Sequence, residues 1–220
     1  MSVGSVVRRL FGPYEHQISA AYRAIYLDLD ALIARIRQWK PEAARILEIG
    51  CGEGAVTERL RIAYPDAEIT SIDITPRVGR LYRGSRDRVN FLQCSIQELV
   101  ARDLPPFDLV LLCDVIHHVP VELRQGLLDS IAATIAPQGI FFFKDWEKNH
   151  APIHALCYLS DRWLTGDRIH YMSREEFRQR LTHSFGEAAL QTEARIAPWW
   201  NNLAILVAPG ANRSPVIRAR

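Results

Sequence analysis

Short apolar segments alternate with helix-like segments through residues 45–144, and this alternation restricts the architecture more than any other feature. Five segments are predicted strands, near 45–49, 68–72, 89–93, 107–113 and 140–144. Helical patterns separate them at intervals of roughly 20 to 30 residues, which is typical of βαβ units. Right-handed crossovers then place helices on both faces of a parallel sheet. The sequence therefore predicts a doubly wound α/β fold.

The pattern changes after Asp145. Two more strands are predicted near 188–194 and 203–207, and a hairpin-like end of this kind adds an antiparallel edge strand. We expect a mostly parallel, seven-stranded sheet. Residues 146–172 are rich in aromatic residues and histidines. We predict a helical insert here that forms a lid over the substrate.

The length of 220 residues fits a single domain. Its predicted parts are an N-terminal helical cap (1–40), a cofactor-binding half (41–145), the lid insert (146–172), a C-terminal helix with strands (173–208) and a tail (209–220). Apolar periodicity predicts one helix over 14–39. A further helix is predicted over Pro76–Arg83, with Thr75 as its N-cap.

Charge and cysteine content argue against several classes of protein. The net charge of +2 is weaker than nucleic-acid binders usually carry, so we expect no nucleic-acid partner. The four cysteines form no CxxC pair and no zinc spacing, so we expect no metal site. No apolar run reaches about 18 residues, so no membrane span is expected. No apolar segment follows Arg8 and Arg9, so we expect a cytoplasmic protein. A homodimer stays open.

Gly50, Gly52 and Gly54 follow the first predicted strand and open a helix. Glycine permits positive φ and lets a ligand approach the backbone closely. A helix N-terminus presents unpaired N–H groups, and ligands of open α/β sheets bind beyond the carboxyl ends of the strands. The turn predicts a ligand site, but by itself it fits NAD about as well as other ligands.

Two carboxylates make the site more specific. Glu48 precedes the first glycine by two residues, where it suits a ligand with an ammonium group better than a pyrophosphate. Asp73 ends the second strand, where a carboxylate can accept both hydroxyls of a ribose. Ala55 stands at the third glycine position of a dinucleotide fingerprint, which NAD sites tolerate. A nicotinamide cofactor is therefore not excluded at this point.

Four motifs, in this order, resemble those of class I S-adenosylmethionine-dependent methyltransferases. They are Glu48–Gly54, Ile72–Asp73, Phe107–His118 and Ile135–Gly139. The resemblance covers roughly residues 40 to 145. It implies a Rossmann-like fold, S-adenosyl-L-methionine as cofactor and S-adenosyl-L-homocysteine as its product.

The same resemblance implies which residues contact the methionyl group and the ribose. The loop backbone at Gly50, Cys51 and Gly52 would meet the methionyl group. Glu48 would order this loop. Asp73 would bind the ribose hydroxyls.

The adenine side departs from the family pattern. The family usually has Gly-Asp after the third strand, whereas this chain has Cys94-Ser95. Ser95 can still bond to adenine, but without a charge. Ile74 would pack on the adenine ring, and the N–H of Ile96 would be a second contact. Cys113 would line the cleft by its backbone.

His117 is the candidate general base, because histidine titrates near neutral pH. Its position resembles the catalytic histidine of plant-type small-molecule O-methyltransferases. His118 replaces the acidic neighbour of that family, so an orienting carboxylate must come from elsewhere. Asp145 ends the fifth strand and is the second candidate, either to orient a histidine or to bind a substrate amine. For His117 the structural alternatives are a histidine in a turn or a residue of the cofactor shelf. For Asp145 they are an aspartate that caps a helix or pairs with Lys144 or Arg162.

The expected function is methyl transfer to a small-molecule acceptor of aromatic or apolar character, on oxygen, in a biosynthetic pathway. Three alternatives stay open: a methyltransferase for nucleic acid or protein, a nicotinamide-dependent oxidoreductase, and a non-catalytic adenosylmethionine binder. The chain has no Asn-Pro-Pro-Tyr segment and no Tyr-x-x-x-Lys pair, which argues against the first two.

Overall fold

The fold is built on a single sheet, seen in a computed structural model that describes residues 14–149, 153–154 and 169–210. The strands are β1 (Arg45–Ile49), β2 (Glu68–Asp73), β3 (Val89–Gln93), β4 (Phe107–Cys113), β5 (Ile135–Trp146), β6 (Leu190–Arg195) and β7 (Asn202–Val207). The helices are α1 (Glu15–Tyr26), α2 (Leu29–Trp39), α3 (Ala55–Ala63), α4 (Ile96–Val100), α5 (Arg124–Ala132) and α6 (Arg174–Phe185). Short 3₁₀ turns lie at Ile116–His118, Val121–Leu123 and Glu187–Ala189.

The sheet has seven strands in the order β3-β2-β1-β4-β5-β7-β6. Strands β1 to β5 pair in parallel, whereas β7 runs antiparallel to both β5 and β6. The predicted doubly wound, mostly parallel sheet with an antiparallel addition at one end is confirmed. The reversed strand β7 lies between β5 and the outermost strand β6.

Helices cover both faces of the sheet, which explains why β4 is apolar along most of its length. Leu109 and Leu111 face a cluster that includes α2 and α3. Val110 and Leu112 face the opposite cluster, which includes α4, α5 and α6. All four side chains are fully buried. None of the helices in the described ranges combines the length and the apolar character that crossing a membrane requires.

The helix predicted over 14–39 is two helices, so that expectation was wrong. The chain becomes extended at Leu27, and Asp28 is the N-cap of α2. Its Oδ1 accepts hydrogen bonds from the N–H groups of Asp30 and Ala31, at 2.9 and 3.0 Å. The apolar periodicity continues across this break, so it concealed the capping residue.

No helix forms over Pro76–Arg83, and this prediction was also wrong. Arg77 and Gly79 have φ of +69° and +64°, left-handed values that interrupt a right-handed helix. The hydroxyl of Thr75, the predicted N-cap, instead donates to Oδ1 of Asp73 at 2.6 Å. The segment is a series of bends that returns the chain to β3.

The predicted helical lid insert lies largely outside the described residues. Of the range 146–172, the structure describes 146–149, 153–154 and 169–172. These two ends lie beside the end of β5 and the turn after β4, as their contacts below demonstrate.

Candidate active site

The carboxyl ends of β1, β2, β4 and β5 bring most predicted site residues to one edge of the sheet. The glycine loop follows β1, and Asp73 is the last residue of β2. Cys113 is the last residue of β4, and Asp145 lies next to the end of β5. This is the edge at which open α/β sheets bind their ligands.

The glycine loop needs glycine for two different reasons. Gly50, Gly52 and Gly54 have φ of +74°, +51° and +93°, all in the region that favours glycine. At Gly50 an added Cβ would lie only 2.3 Å from Cγ2 of Val115, so the turn after β4 packs directly on the loop. At Gly52 no described atom lies within 4 Å of such a Cβ. The backbone at Gly52 therefore has the space that a ligand needs.

Asp73 connects the end of β2 to this loop. Its Oδ2 accepts a hydrogen bond from the N–H of Gly52 at 2.7 Å. Its Oδ1 accepts from the N–H and the hydroxyl of Thr75, at 2.8 and 2.6 Å. A carboxylate has about four acceptor positions, so these three bonds leave room for about one further donor.

Glu48 is buried beneath the loop and forms hydrogen bonds to the neighbouring helix and strand. The hydroxyls of Thr57 in α3 and Ser71 in β2 both donate to its Oε2, the second at 3.0 Å. Burial raises the pKa of Glu48 to about 7, although the two hydroxyl bonds act in the opposite direction; the charge of Asp73 raises it further. Glu48 therefore holds the strand and helix on either side of the glycine loop.

The residues predicted for adenine differ in what they offer a ligand. Ile74 is 74% exposed, so its apolar surface is available for packing. Ser95 forms a capping box with Glu98: its hydroxyl accepts from the Glu98 N–H, and its own N–H donates to the Glu98 carboxylate. Ile96 begins α4, and its side chain is buried. Because the Ser95 hydroxyl also donates to Glu98, its capacity for adenine is reduced.

Cys51 and Cys113 lie at the same edge as thiols. Burial raises the pKa of both groups, and the nearby acidic residues add to the effect. An uncharged thiol is a poor nucleophile. Both cysteines therefore lack the charge that nucleophilic chemistry needs.

His117 and Asp145 form a buried pair at the ends of β4 and β5. His117 Nδ1 lies 2.7 Å from Asp145 Oδ1, and the two residues are 5% and 1% exposed. The N–H of Ile116 donates to the Asp145 Oδ2 at 3.1 Å, and the N–H of Trp146 donates to its Oδ1 at 2.7 Å. The structure thus brings together the two candidate catalytic residues, and Asp145 fills the place of the orienting carboxylate.

The Asp145 carboxyl is held in its ionised form. Burial acts to raise the pKa of Asp145, but the charge and hydrogen bond of His117, the charge of Lys144 and the Trp146 N–H together lower it. An ionised carboxylate only accepts hydrogen bonds, so Nδ1 of His117 carries a proton. In the neutral ring the lone pair is then at Nε2, the atom that can take a proton.

Aromatic rings surround His117. Tyr171 stacks on its ring at 5.0 Å between centroids, and His118 lies at 4.1 Å. Nε1 of Trp146 donates to Nδ1 of His154 at 3.0 Å, and the His154 ring meets the edge of Tyr171 at 4.8 Å. The described ends of the insert therefore converge on the candidate base.

A second ion pair, between the buried Lys144 and the 34% exposed Asp114, lies beside the first and was not predicted from the sequence. Lys144 is 1% exposed, and its Nζ lies 2.6 Å from both carboxylate oxygens of Asp114. Lys144 therefore pairs with Asp114 and not with Asp145, the partner considered above; Arg162 lies outside the described residues. The signal was present, because a buried lysine that directly follows the apolar run Ile140–Phe143 needs a carboxylate partner.

A sequence profile described as a methyltransferase domain matches residues 14–187, well over half of the chain. The chain belongs to the methyltransferase domain family. Membership favours a methyltransferase over the nicotinamide-dependent oxidoreductase that the glycine turn alone left open.

Curated relatives in this family are similar over part of their length. The chain is 33% identical over 103 residues to the ubiquinone biosynthesis O-methyltransferase of Xylella fastidiosa (strain M23), covering 45% of this chain and 40% of that protein. It is 30% identical over 127 residues to the protein of the same name from Xanthomonas campestris pv. campestris (strain B100), covering 56% and 50%. The chain thus spans about half the length of these relatives or less.

Solved methyltransferase structures share the fold. A Burkholderia thailandensis 1,6-didemethyltoxoflavin-N1-methyltransferase, crystallised with its substrate and S-adenosylhomocysteine, has a TM-score of 0.64 at 20% identity, covering 94% of this chain and 88% of that one. Human N-acetylserotonin methyltransferase, in complex with SAM, has a TM-score of 0.66 at 18% identity, covering 89% and 55%. At these identities the likeness establishes the class I fold.

Proposed function

We propose that the protein transfers a methyl group from S-adenosyl-L-methionine to a hydroxyl group of a small-molecule acceptor, with His117 as general base. The observation that carries this proposal is the buried His117–Asp145 pair, 2.7 Å apart, at the carboxyl edge of the sheet. A histidine oriented by an ionised carboxylate is suited to remove a proton from a hydroxyl.

The loop after β1 fits the cofactor. Gly50, Cys51 and Gly52 would face its methionyl group, and the open space at Gly52 supports this placement. Asp73 would accept a ribose hydroxyl, and Glu48 would keep the loop in place. The cofactor supplies an electrophilic methyl group on a sulfonium.

The adenine side is proposed with a weaker polar contribution. Ile74 supplies an exposed apolar surface for the ring. The N–H of Ile96 and the hydroxyl of Ser95 would be its polar contacts, and Cys113 would line the cofactor cleft by its backbone. Because the Ser95 hydroxyl already bonds to Glu98, affinity for the nucleoside would depend mainly on Asp73 and Ile74.

The chain's own contribution to the reaction is position and proton transfer. Holding acceptor and cofactor in line supplies much of the rate of a displacement. His117 Nε2 would accept the hydroxyl proton as the oxygen becomes the nucleophile. Asp145 would hold the ring through Nδ1 and stabilise the imidazolium that results.

The acceptor is proposed to be small and aromatic or apolar. His117 is only 5% exposed, so a bulky macromolecule would have difficulty reaching it. Aromatic rings of the Tyr171 and His118 type favour flat or apolar ligands. The named activity of the curated relatives, O-methylation in ubiquinone biosynthesis, supports oxygen as the acceptor atom. The mild net charge of +2 gives little support to a nucleic-acid acceptor.

The proposal is tested by cofactor binding and by transfer of labelled methyl. Calorimetry should detect binding of S-adenosyl-L-methionine to the wild-type chain. A panel of phenols and catechols, each paired with its fully O-methylated analogue, should give label only in the free hydroxyl compounds. His117→Gln should bind the cofactor but transfer about 10² to 10⁴ times more slowly. Binding without transfer to any member, but with transfer to protein or tRNA, would contradict the proposed acceptor class.

A further inference from the structure

Arg124, the first residue of α5, is almost completely buried. It is 1% exposed, although a guanidinium removed from water is costly unless its N–H groups are bonded. Its Nε donates to the carbonyl oxygen of Val119 at 2.9 Å, and its Nη2 donates to the carbonyl oxygen of His170 at 2.7 Å. One side chain thus ties together two main-chain segments that are far apart in the sequence.

Both segments frame His117. The N–H of Val119 donates to the carbonyl oxygen of Ile116 at 3.1 Å and closes the turn that carries His117. The N–H of His170 donates to the carbonyl oxygen of His117, also at 3.1 Å. The neighbouring Tyr171 stacks on the His117 ring. The arginine therefore fixes both the turn that carries the histidine and the segment that packs on it.

The charge of Arg124 also acts on Asp145. Burial lowers the pKa of Arg124, and the attraction of Asp145 acts in the opposite direction. This attraction is mutual, so the buried cation favours the ionised form of Asp145. Only that form accepts a hydrogen bond from the Nδ1–H of His117 without offering a proton in return. Geometry and charge therefore act on the same pair.

We propose that Arg124 is a positioning residue for the His117–Asp145 pair, because its two hydrogen bonds hold residues 116–119 and 169–172 together around the histidine. The importance of these hydrogen bonds for catalysis rests on the function proposed above. The hydrogen bonds themselves do not depend on which acceptor is used. Arg124 acts through His117 and is not assigned a contact with the acceptor.

Two variants and a control test the proposal. Arg124→Met keeps an unbranched apolar stem and removes both donors, and Arg124→Lys keeps the charge but loses the forked donor geometry. Arg178→Met is the matched control, because that guanidinium pairs with Glu193 on β6. Each variant is measured by calorimetry with S-adenosyl-L-methionine, amide hydrogen exchange of the two segments, the NMR signal of the His117 Nδ1 proton, and kcat and KM for the acceptor.

In Arg124→Met we expect amide exchange in both segments to accelerate by about tenfold or more, and the Nδ1 proton signal to weaken or disappear. Cofactor affinity should stay within about twofold of wild type, while kcat falls about 10-fold to 100-fold with a smaller change in KM. Arg124→Lys should give intermediate values, and Arg178→Met should match wild type. A role limited to stability would instead lower the folded fraction without altering the Nδ1 proton of the folded molecules.

The proposal is overturned if Arg124→Met folds and keeps both wild-type exchange and the wild-type Nδ1 proton signal. If the methionine variant does not fold, the same measurements on Arg124→Lys decide the question. Failure of the wild-type chain to bind the cofactor or to methylate an acceptor would instead contradict the proposed function. Hydrogen exchange and the Nδ1 signal still decide the role of Arg124 in that case.

Discussion

The ends of β1 and β2 and the ends of β4 and β5 form one edge of the sheet but are built differently. At β1 and β2 the main chain forms the surface: Gly52 is open, and its N–H bonds to Asp73. At β4 and β5 paired charged side chains dominate: His117 and Asp145 are both buried, and the buried Lys144 pairs with the 34% exposed Asp114. The first region leaves main-chain surface open, and the second holds charged side chains in fixed positions.

This difference predicts which property of the protein a substitution in each region should change. A buried pair that loses one partner leaves an uncompensated polar group, which is expensive. A main-chain loop tolerates side-chain changes unless they alter its φ angles or fill its space. We therefore expect substitutions near β4 and β5 to reduce turnover, and substitutions near β1 and β2 to reduce loop stability or cofactor affinity.

The largest expected effect is that of Asp145→Asn. The amide would offer a donor to His117 Nδ1 and so favour the tautomer whose Nε2 carries the proton. We expect kcat to fall by about 10² to 10⁴ with cofactor affinity nearly unchanged. Asp129→Asn, on the exposed part of α5, serves as control in the same kinetic and calorimetric measurements. Equal loss of kcat and cofactor affinity would show that the two regions are not separable.

The next largest effect is expected for Gly50→Ala, measured beside Gly52→Ala. Both replacements place a side chain at positive φ, but only the first also meets Val115, at 2.3 Å. We expect Gly50→Ala to lower the free energy of unfolding by about 2–4 kcal/mol and Gly52→Ala by about 1–2 kcal/mol. Urea denaturation measures both values. Equal losses would contradict close packing between the loop and the turn after β4.

Glu48→Gln should change how stability depends on pH. The pKa of Glu48 is raised from 4.5 to about 7 in the folded protein, so between these values the folded chain keeps a proton that the unfolded chain has released. The stabilisation from protonated Glu48 is complete below about pH 4.5 and is lost as the pH rises through about 7. Glutamine cannot ionise, so from pH 5 to pH 8 the variant should gain on the order of 2–3 kcal/mol relative to wild type.

Urea denaturation at both pH values provides the measurement for Glu48→Gln. Glu68→Gln, at the exposed start of β2, is its control and should show no such gain. If the difference between Glu48→Gln and wild type is the same at pH 5 and pH 8, Glu48 is not a buried acid that titrates near neutral pH.

The smallest expected effect is that of Asp73→Ala on cofactor affinity. Loss of the carboxylate removes the bond to the Gly52 N–H and the acceptor proposed for the ribose. We expect affinity for S-adenosyl-L-methionine to fall about tenfold, equivalent to about 1.4 kcal/mol. Calorimetry beside Asp66→Ala, in an exposed turn, checks this. Unchanged affinity would reject the ribose assignment and weaken the contrast between the two regions.

Much of the fold was predictable because its signals are local. Apolar runs and the glycine turn identify strands and their order of appearance, and the sheet confirms them. The helix predicted at Pro76–Arg83 failed because Arg77 adopts a left-handed conformation that its residue type does not announce. The break at Leu27 was not predicted for a related reason, since apolar periodicity does not reveal a capping aspartate. Backbone conformation at single residues depends on packing that spacing does not contain.

The sheet class, the glycine loop and the convergence of acidic residues at the carboxyl edge could be predicted from the sequence, because they follow from strand periodicity and from the geometry of parallel sheets. The pairing of the charges could not be predicted, because it depends on the packing of the folded chain. Lys144 and Asp145 are adjacent in β5, so their side chains point to opposite faces of the sheet. The packing of helices against both faces determines where the turn after β4 lies. This packing places His117 beside Asp145 and Asp114 beside Lys144.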